Sequence, residues 1–152
     1  MPWHWRWTKK SYRHWSRARR RVKGPVTLPD AERTQNREIV EAFLTALRRG
    51  DYQGLIAVLD PDVVVRVDEA AARPGAPREI RGAQNWARGA FAFSRAVRFA
   101  QPVLVDGSPG LVLAPRGRLA RALRFTLTQG KIAQVEVIAD PAHLRQLDLA
   151  VL

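Results

Sequence analysis

The sequence predicts an α+β domain with one antiparallel sheet, preceded by a basic arm. Apolar residues recur at helical spacing in two successive segments between residues 36 and 59, and again at 83–97. Almost everything after residue 97 is strand-like and is divided by turns that contain Gly or Pro. Helices followed by a run of strands are typical of α+β domains.

The composition excludes several classes of site. A chain of 152 residues suits one domain with a real core and a tail. There is no cysteine, which excludes disulfides, thiolate catalysis and cysteine-ligated zinc and makes the cytoplasm the default compartment. No apolar run approaches the roughly 20 residues of a membrane span. Basic residues interrupt the N-terminal aromatic residues, so a signal peptide is not predicted either.

Positive charge is concentrated at the N-terminus. Residues 1–25 contain nine Lys or Arg and no Asp or Glu, so they contribute +9 of the formal net charge of +12. Four of the five tryptophans, at positions 3, 5, 7 and 15, also lie there. The segment 24–30 has one Gly and two Pro, which prevent a helix from continuing. We therefore expect an arm and linker over 1–30 and a domain over 31–152.

Two helices are predicted at the start of the domain. Asn36 is expected to cap the first helix, which ends at Gly50. Its apolar positions are Ile39, Val40, Phe43, Leu44 and Leu47. Asp51 is expected to cap a second, short helix that reaches residue 59.

A strand, a loop and a third helix come next. Asp60-Pro61-Asp62 is predicted to turn the chain into a strand over 63–68, which is rich in valine. Residues 69–82 have the Pro and Gly content of a loop, and helical spacing returns over 83–97.

The remaining pattern predicts strands over 98–105, 111–114, 119–127 and 132–139. Pro102 indicates that the strand over 98–105 lies at a sheet edge or contains a bulge. Turns are expected at 106–110 and 115–117, and Gln129-Gly130 is expected to form a tight hairpin turn. Asp140-Pro141 is a strong helix start, with Asp as the cap and Pro in the first helical position. The final helix then carries Leu144 and Leu147.

Three stretches of this sequence resemble the C-terminal extension found in certain extracytoplasmic-function sigma factors, which is a SnoaL-like domain. They are 36–67 (NREIVEAFLTALRRGDYQGLIAVLDPDVVVRV), 99–117 (FAQPVLVDGSPGLVLAPRG) and 137–148 (VIADPAHLRQLD). The last is similar to the terminal signature of the family, A-D-P-x-x-L-x-x-L-D in many members. The resemblance covers nearly all of residues 36–152.

The resemblance implies a fold, a function and a set of partners. The fold is the SnoaL-like cone-shaped barrel, also called nuclear-transport-factor-2-like, in which a curved antiparallel sheet wraps the helices. The function is that of a built-in regulator that packs against the sigma core and modulates polymerase binding. The implied regulatory or interface residues are Asp68, Asp140, Pro141 and Leu144. The expected partners are the sigma core regions and RNA polymerase, with a second copy of the chain as a further candidate; no cofactor, metal or membrane is expected.

Two departures from the family pattern bear on function. Family members usually have D-G-G-G where this chain has Asp68 followed by Glu69-Ala70-Ala71-Ala72, so only the aspartate carries over. Residues 16–22 (SRARRRV) look like the tail of the DNA-recognition helix of sigma region 4, but only 15 residues precede them here, and these resemble nothing in region 4. The chain is therefore expected to be a truncated sigma factor that does not initiate transcription alone.

The arm is a candidate for nucleic-acid binding. Its basic residues Arg17, Arg19, Arg20, Arg21 and Lys23 could neutralise phosphates, and Trp15 could stack on a base. Sequence-specific recognition is not expected, because a helix-turn-helix needs its first helix and its turn to place the recognition helix. Weak, non-specific binding of DNA is the expectation.

The alternative is a stand-alone enzyme or small-molecule binder with the same fold. Ketosteroid isomerase chemistry needs a carboxylate base together with oxyanion donors. This domain offers Tyr52, His143 and Asp68 for such roles, while Asp106 lies in a turn, and no catalytic residue is assigned. Five aromatic residues, Trp86, Phe91, Phe93, Phe99 and Phe125, could line a ligand pocket, although residues at this spacing are more often part of an ordinary core.

Overall fold

The structure, a computed structural model, describes residues 29–93 and 96–152, apart from the side chain of Phe93. The helices are α1 (Asp30–Arg49), α2 (Tyr52–Val58), α3 (Ala83–Ala90) and α4 (Pro141–Gln146). The strands are β1 (Leu59–Val67), β2 (Glu79–Arg81), β3 (Ala100–Val105), β4 (Ser108–Leu113), β5 (Arg121–Thr128), β6 (Lys131–Ile138) and β7 (Leu149–Val151). Short 3₁₀ turns lie at Phe91–Phe93, Ala96–Phe99 and Pro115–Gly117.

All of these strands belong to one sheet, in the order β2-β1-β6-β5-β4-β3-β7. Every neighbouring pair is antiparallel except β1 and β6, which are parallel. The predicted α+β class with a curved sheet wrapped on helices is confirmed, while the expectation of a purely antiparallel sheet is wrong at this one pair. The sheet is open, with β2 and β7 at its edges, rather than closed on itself.

The two faces of the sheet are both partly covered. We call the face that packs against α1 the inner face. Along β4, Leu111 and Leu113 join the inner core while Val112 joins a separate cluster on the outer face, as the alternation of side chains in a strand requires. In the inner core, Phe43 of α1 stacks on Trp86 with ring centroids 5.6 Å apart, and meets Phe125 edge-on at 5.1 Å.

The first helix begins earlier than predicted. It starts at Asp30, preceded by Pro29, whose carbonyl accepts the amide of Arg33 at 3.0 Å. Asn36 is a buried residue within the helix and not its cap. The periodic apolar pattern marks only the part of the helix that meets the core. The exposed first turn has no such pattern, but Asp30 and Glu32 there favour a helix N-terminus electrostatically.

The predicted turn at residues 60–62 is absorbed into β1. The register along β6 moves from Leu59 opposite Ile132 to Val64 opposite Gln134, so extra residues of β1 bulge out of the ladder. The amide of Asp62 donates to the side chain of Asp60 at 2.8 Å within this bulge. The bulge lets a strand continue through a proline, which has no amide to donate.

Three other expectations need correction. The segment 69–82, predicted as a loop, contains β2, where Ile80 lies opposite Val65. The third helix ends at Ala90 instead of continuing to residue 97, and 3₁₀ turns follow. The strand β7 was not predicted at all; it pairs with residues 103–105 of β3, so Pro102 has a strand partner only on the β4 side.

The hairpin turns follow the local sequence. Gln129 and Gly130 both have positive φ, 52° and 77°, which is the geometry of a tight hairpin turn and confirms that prediction. Asp106 and Gly107 also have positive φ, 50° and 82°, so the turn between β3 and β4 has two residues instead of the predicted five. None of the described helices is long and apolar enough to cross a membrane.

Candidate functional site

Asp68 lies at the junction of three segments. Its Oδ1 accepts the amide of Ala71 at 2.9 Å, and its Oδ2 accepts the amides of Ala139 at 2.8 Å and Asp140 at 2.9 Å. Because β1 and β6 are parallel neighbours, their C-terminal ends meet at the same edge of the sheet. Asp68 follows β1 and residues 139–140 follow β6, which is why residues so distant in sequence come together.

These hydrogen bonds keep the Asp68 carboxyl ionised. Partial burial by itself would raise its pKa, but the amides of Asp140, Ala139 and Ala71 and the nearby His143 together lower the pKa below its ordinary value. The loop that follows has no residue with positive φ among 69–72. The alanines that stand where family members usually have glycine therefore cause no backbone strain here.

The start of α4 forms the other half of the junction. The Asp140 side chain accepts the amide of His143 at 3.0 Å, and Pro141 occupies the first turn, as predicted. Leu144 is buried in the outer-face cluster, whose members are Val103, Val105, Val112, Ala122, Ile138, Leu144, Leu147 and Leu149. The structure thus brings the four residues implied by the resemblance into one place, which we call the Asp68–α4 junction (Asp68, Asp140, Pro141 and Leu144).

A second feature is a cavity of about 690 Å³ on the inner side of the sheet. It lies between the sheet, α1, α3 and the loop that follows β1. Arg48, near the end of α1, helps to hold one wall, because its guanidinium donates to the carbonyls of Val97 and Ala100, both at 3.1 Å. Apolar side chains from all of these elements line it, among them Phe43, Leu47, Trp86, Leu111, Leu123 and Val137.

The five predicted aromatic residues are not all at this cavity. Trp86 and Phe99 line it. Phe125 lies in the core against Phe43 and is not part of the lining, and Phe91 packs near Tyr52 with centroids 6.2 Å apart. The side chain of Phe93 lies outside the described part of the chain.

Sequence analysis missed Arg73 and Arg121, the charged residues that line the cavity in the described part of the chain. The alternation of β5 was a usable signal for one of them, since Arg121 shares the inward-facing parity of Leu123 and Phe125. Arg73 lies in the irregular loop after β1, where no periodicity points inward.

The groups considered for catalysis are not assembled together. The Asp68 carboxylate is occupied by backbone amides, and Tyr52 packs on Phe91. Asp106 accepts the amide of Asp148 at 2.8 Å and lies 3.6 Å from Arg124. Within the part of the chain that the structure describes, no three His, Cys, Asp or Glu side chains lie together as metal ligands would. The basic arm residues Arg17, Arg19, Arg20, Arg21 and Lys23 lie outside the described residues.

Comparison with known proteins supports the resemblance seen in the sequence. The chain is 31% identical over 138 residues to the probable ECF RNA polymerase sigma factor SigI of Mycobacterium tuberculosis, covering 86% of this chain and 44% of that protein. The crystal structure of the M. tuberculosis extracytoplasmic function sigma factor SigJ matches with a TM-score of 0.57 and 26% identity, covering 70% of this chain and 42% of that one. A de novo designed protein with a curved β-sheet matches with a TM-score of 0.53 and 19% identity, over 74% of this chain and 91% of that one. No family model matches the chain.

These comparisons establish homology over a limited part of longer proteins. The chain is homologous to the C-terminal region of the sigma factors SigI and SigJ, and its fold is that of the SnoaL-like domain of SigJ. It spans less than half the length of either sigma factor. The predicted family resemblance is therefore confirmed for this region.

Proposed function

We propose that this chain, a homologue of the C-terminal region of extracytoplasmic-function sigma factors, is a regulatory SnoaL-like domain that modulates transcription initiation by RNA polymerase. The similarity to SigI, at 31% identity over 138 residues, is the observation that carries this proposal. The domain acts by packing against the sigma core regions. A cytoplasmic location, where RNA polymerase works, goes with this function.

The Asp68–α4 junction supplies the contact surface in this proposal. The buried side of α4 holds Leu144 on the outer face of the sheet, and its other side exposes His143, Arg145 and Gln146. Asp68 fixes the start of α4 to the end of β1 through backbone amides. A helix held in this way presents its exposed side chains in one orientation, which lowers the entropic cost of binding a partner.

On this proposal the SnoaL-like domain modulates initiation and does not itself start transcription. The basic arm (Arg17, Arg19, Arg20, Arg21 and Lys23) adds non-specific attraction to DNA, which brings the domain close to the promoter complex without selecting a sequence.

The test is reconstituted transcription. Regions 2 and 4 of the SigI relative, without its C-terminal region, are combined with RNA polymerase, and run-off transcript is measured with and without added chain. We expect the chain to change transcript yield and to co-purify with the sigma regions. Arg145→Glu on α4 should weaken both effects, whereas Arg88→Glu, which changes another exposed arginine, on α3, should not. The proposal is overturned if the chain neither associates with the sigma regions nor changes the transcript yield.

The cavity favours a second candidate, a stand-alone small-molecule enzyme or binding protein with the same fold. The genomic DNA upstream of Met1, translated in all three frames, distinguishes the two functions. Codons for sigma regions 2 and 4 there support the regulatory domain, while an unrelated gene or a promoter directly upstream supports the stand-alone protein.

A further inference from the structure

The cavity combines an apolar interior with positive charge. Its volume of about 690 Å³ lies within the range of about 300–1,000 Å³ that small-molecule sites occupy. Apart from Arg73 and Arg121, the described side chains that line it are hydrocarbon or aromatic, or belong to Gly and Pro. Both charged residues in the described part of the lining are cationic, and no described carboxylate accompanies them there.

The charge is placed at the opening. Arg121 is the first residue of β5 and is half-buried, next to the exposed lining residues Ala120 and Pro115. Arg73 is exposed in the loop after β1, where Ala76 and Pro77 are also exposed lining residues. The rim thus includes two connecting segments that carry one arginine each, together with the exposed lining residues Gly89, Ala92 and Ala96.

We propose that this cavity binds an amphipathic organic acid, with its hydrocarbon body against the apolar lining and its carboxylate at Arg121, attracted also by Arg73. The physical argument is complementarity of both surface and charge. A purely apolar ligand would make no charged hydrogen bond to the rim arginines. A small anion such as acetate would not cover the apolar walls. Burial of hydrocarbon provides most of the affinity, and the charged hydrogen bond selects an acid over an alcohol.

The two arginines are expected to contribute unequally. Both arginines already have an interaction within the protein. A guanidinium has five N–H donors, so it can hold more than one partner at a time. Arg121 is half-buried beside the apolar lining, where a charged hydrogen bond is stronger than in water. Arg73 is exposed, so its contribution is long-range and screened by salt. This site is independent of whether the domain contacts a sigma core.

Decanoate is a suitable probe, with 1-decanol as the uncharged comparison and acetate as the anion without a hydrocarbon body. The full chain is titrated by isothermal calorimetry in 0.3 M NaCl, which screens the charges of the basic arm. We expect decanoate to bind with a 1:1 stoichiometry, decanol to bind at least about 10-fold more weakly, and acetate not to bind measurably. Decanoate should also raise the thermal unfolding midpoint, because it binds only the folded state.

Variants locate the carboxylate. Arg121→Gln should weaken decanoate binding at least about 10-fold and leave decanol binding unchanged, whereas Arg121→Lys should restore part of the loss. Arg73→Gln should weaken binding only a few-fold, and less at higher salt. Arg118→Gln is the matched control, since Arg118 is exposed nearby and does not line the cavity. The proposal is overturned if decanoate does not bind, if decanol binds equally well, or if Arg121→Gln and Arg118→Gln have the same effect.

Discussion

The carboxylate of Asp68 accepts the backbone amide of Asp140 at 2.9 Å, although the two residues are 72 positions apart. Asp140 in turn accepts the amide of His143 and so caps α4. The Asp68 carboxylate therefore fixes the backbone of Asp140, and the Asp140 carboxylate caps α4. This coupling links the loop after β1 to the C-terminal helix, and it makes several consequences measurable.

Asp68→Asn should destabilise the fold by about 1–3 kcal/mol. The carboxylate uses both oxygens to accept three amides, and an asparagine has only one acceptor oxygen, so at least one amide loses its partner. Urea unfolding monitored by circular dichroism measures the change. Asp62→Asn is the matched control, because the exposed Asp62 side chain has no described partner and should leave stability within about 0.5 kcal/mol.

The effect of Asp68 should depend on pH. Its pKa is lower in the folded protein than its ordinary value of 3.8, so the carboxylate stabilises the fold above that value and loses its contribution as the pH falls through the lower, folded-state value. The difference in unfolding free energy between the native sequence and Asp68→Asn should thus be constant from pH 5 to pH 7 and shrink below about pH 4. A difference that grows on acidification would contradict the assignment.

Asp140→Ala should cost about 0.5–2 kcal/mol of stability, and Asp140→Asn should be nearly neutral, because Asn caps a helix as well as Asp does. Chemical denaturation gives both numbers. Equal losses for the two variants would show that the negative charge, and not the cap, is what stabilises this position. Stability retained by Asp140→Asn together with lost association with the sigma regions would assign the charge a role in binding.

Two glycines should respond in opposite directions to alanine. A Cβ on Gly110 would lie 2.1 Å from the carbonyl oxygen of Leu123, so Gly110→Ala must push β4 away from β5 and should destabilise by about 1–3 kcal/mol or more. A Cβ on Gly89, in α3, would meet nothing within 4 Å, and alanine is the better helix former, so Gly89→Ala should stabilise by about 0.5–1 kcal/mol. Thermal melts of the two variants side by side check the signs.

Residues 29–152 should fold without the preceding arm, because the core residues and the described helix ends all lie within them. Calorimetry of this fragment should show one cooperative transition. Beginning the fragment at residue 31 instead removes Asp30 from the N-terminus of α1 and should lower stability by up to about 1 kcal/mol. A broad, non-cooperative melt of the 29–152 fragment would show that the domain needs residues before position 29.

Affinity for nucleic acid should reside in the arm. Neutralising about four phosphates predicts a slope of about −3 to −4 when the logarithm of the association constant is plotted against the logarithm of salt concentration. Fluorescence anisotropy with unrelated duplexes should give similar affinities for each, since no base-specific contact is expected. The 29–152 fragment is the control, and binding of DNA by it as tight as by the full chain would contradict the prediction.

Local sequence decided the features that depend on neighbouring residues. The caps at Asp51 and Asp140 and the hairpin turn at Gln129-Gly130 appear where the pattern places them, because each is stabilised within a few residues. The α+β class follows in the same way from periodicity. The family resemblance added the expectation that Asp68 and α4 belong to a site, which periodicity alone does not indicate.

Tertiary packing decided what depends on partners far away in the chain. The strands β2 and β7 have three residues each, too few for a period to be recognised, and exist because β1 and β3 offer free edges to pair with. The parallel pairing of β1 with β6 brings Asp68 to Asp140, and the curved sheet brings Arg121 to the same cavity as Arg73. Each of these contacts joins segments that share no local interaction. Only the burial of a common core, which no short stretch of sequence encodes, makes them favourable.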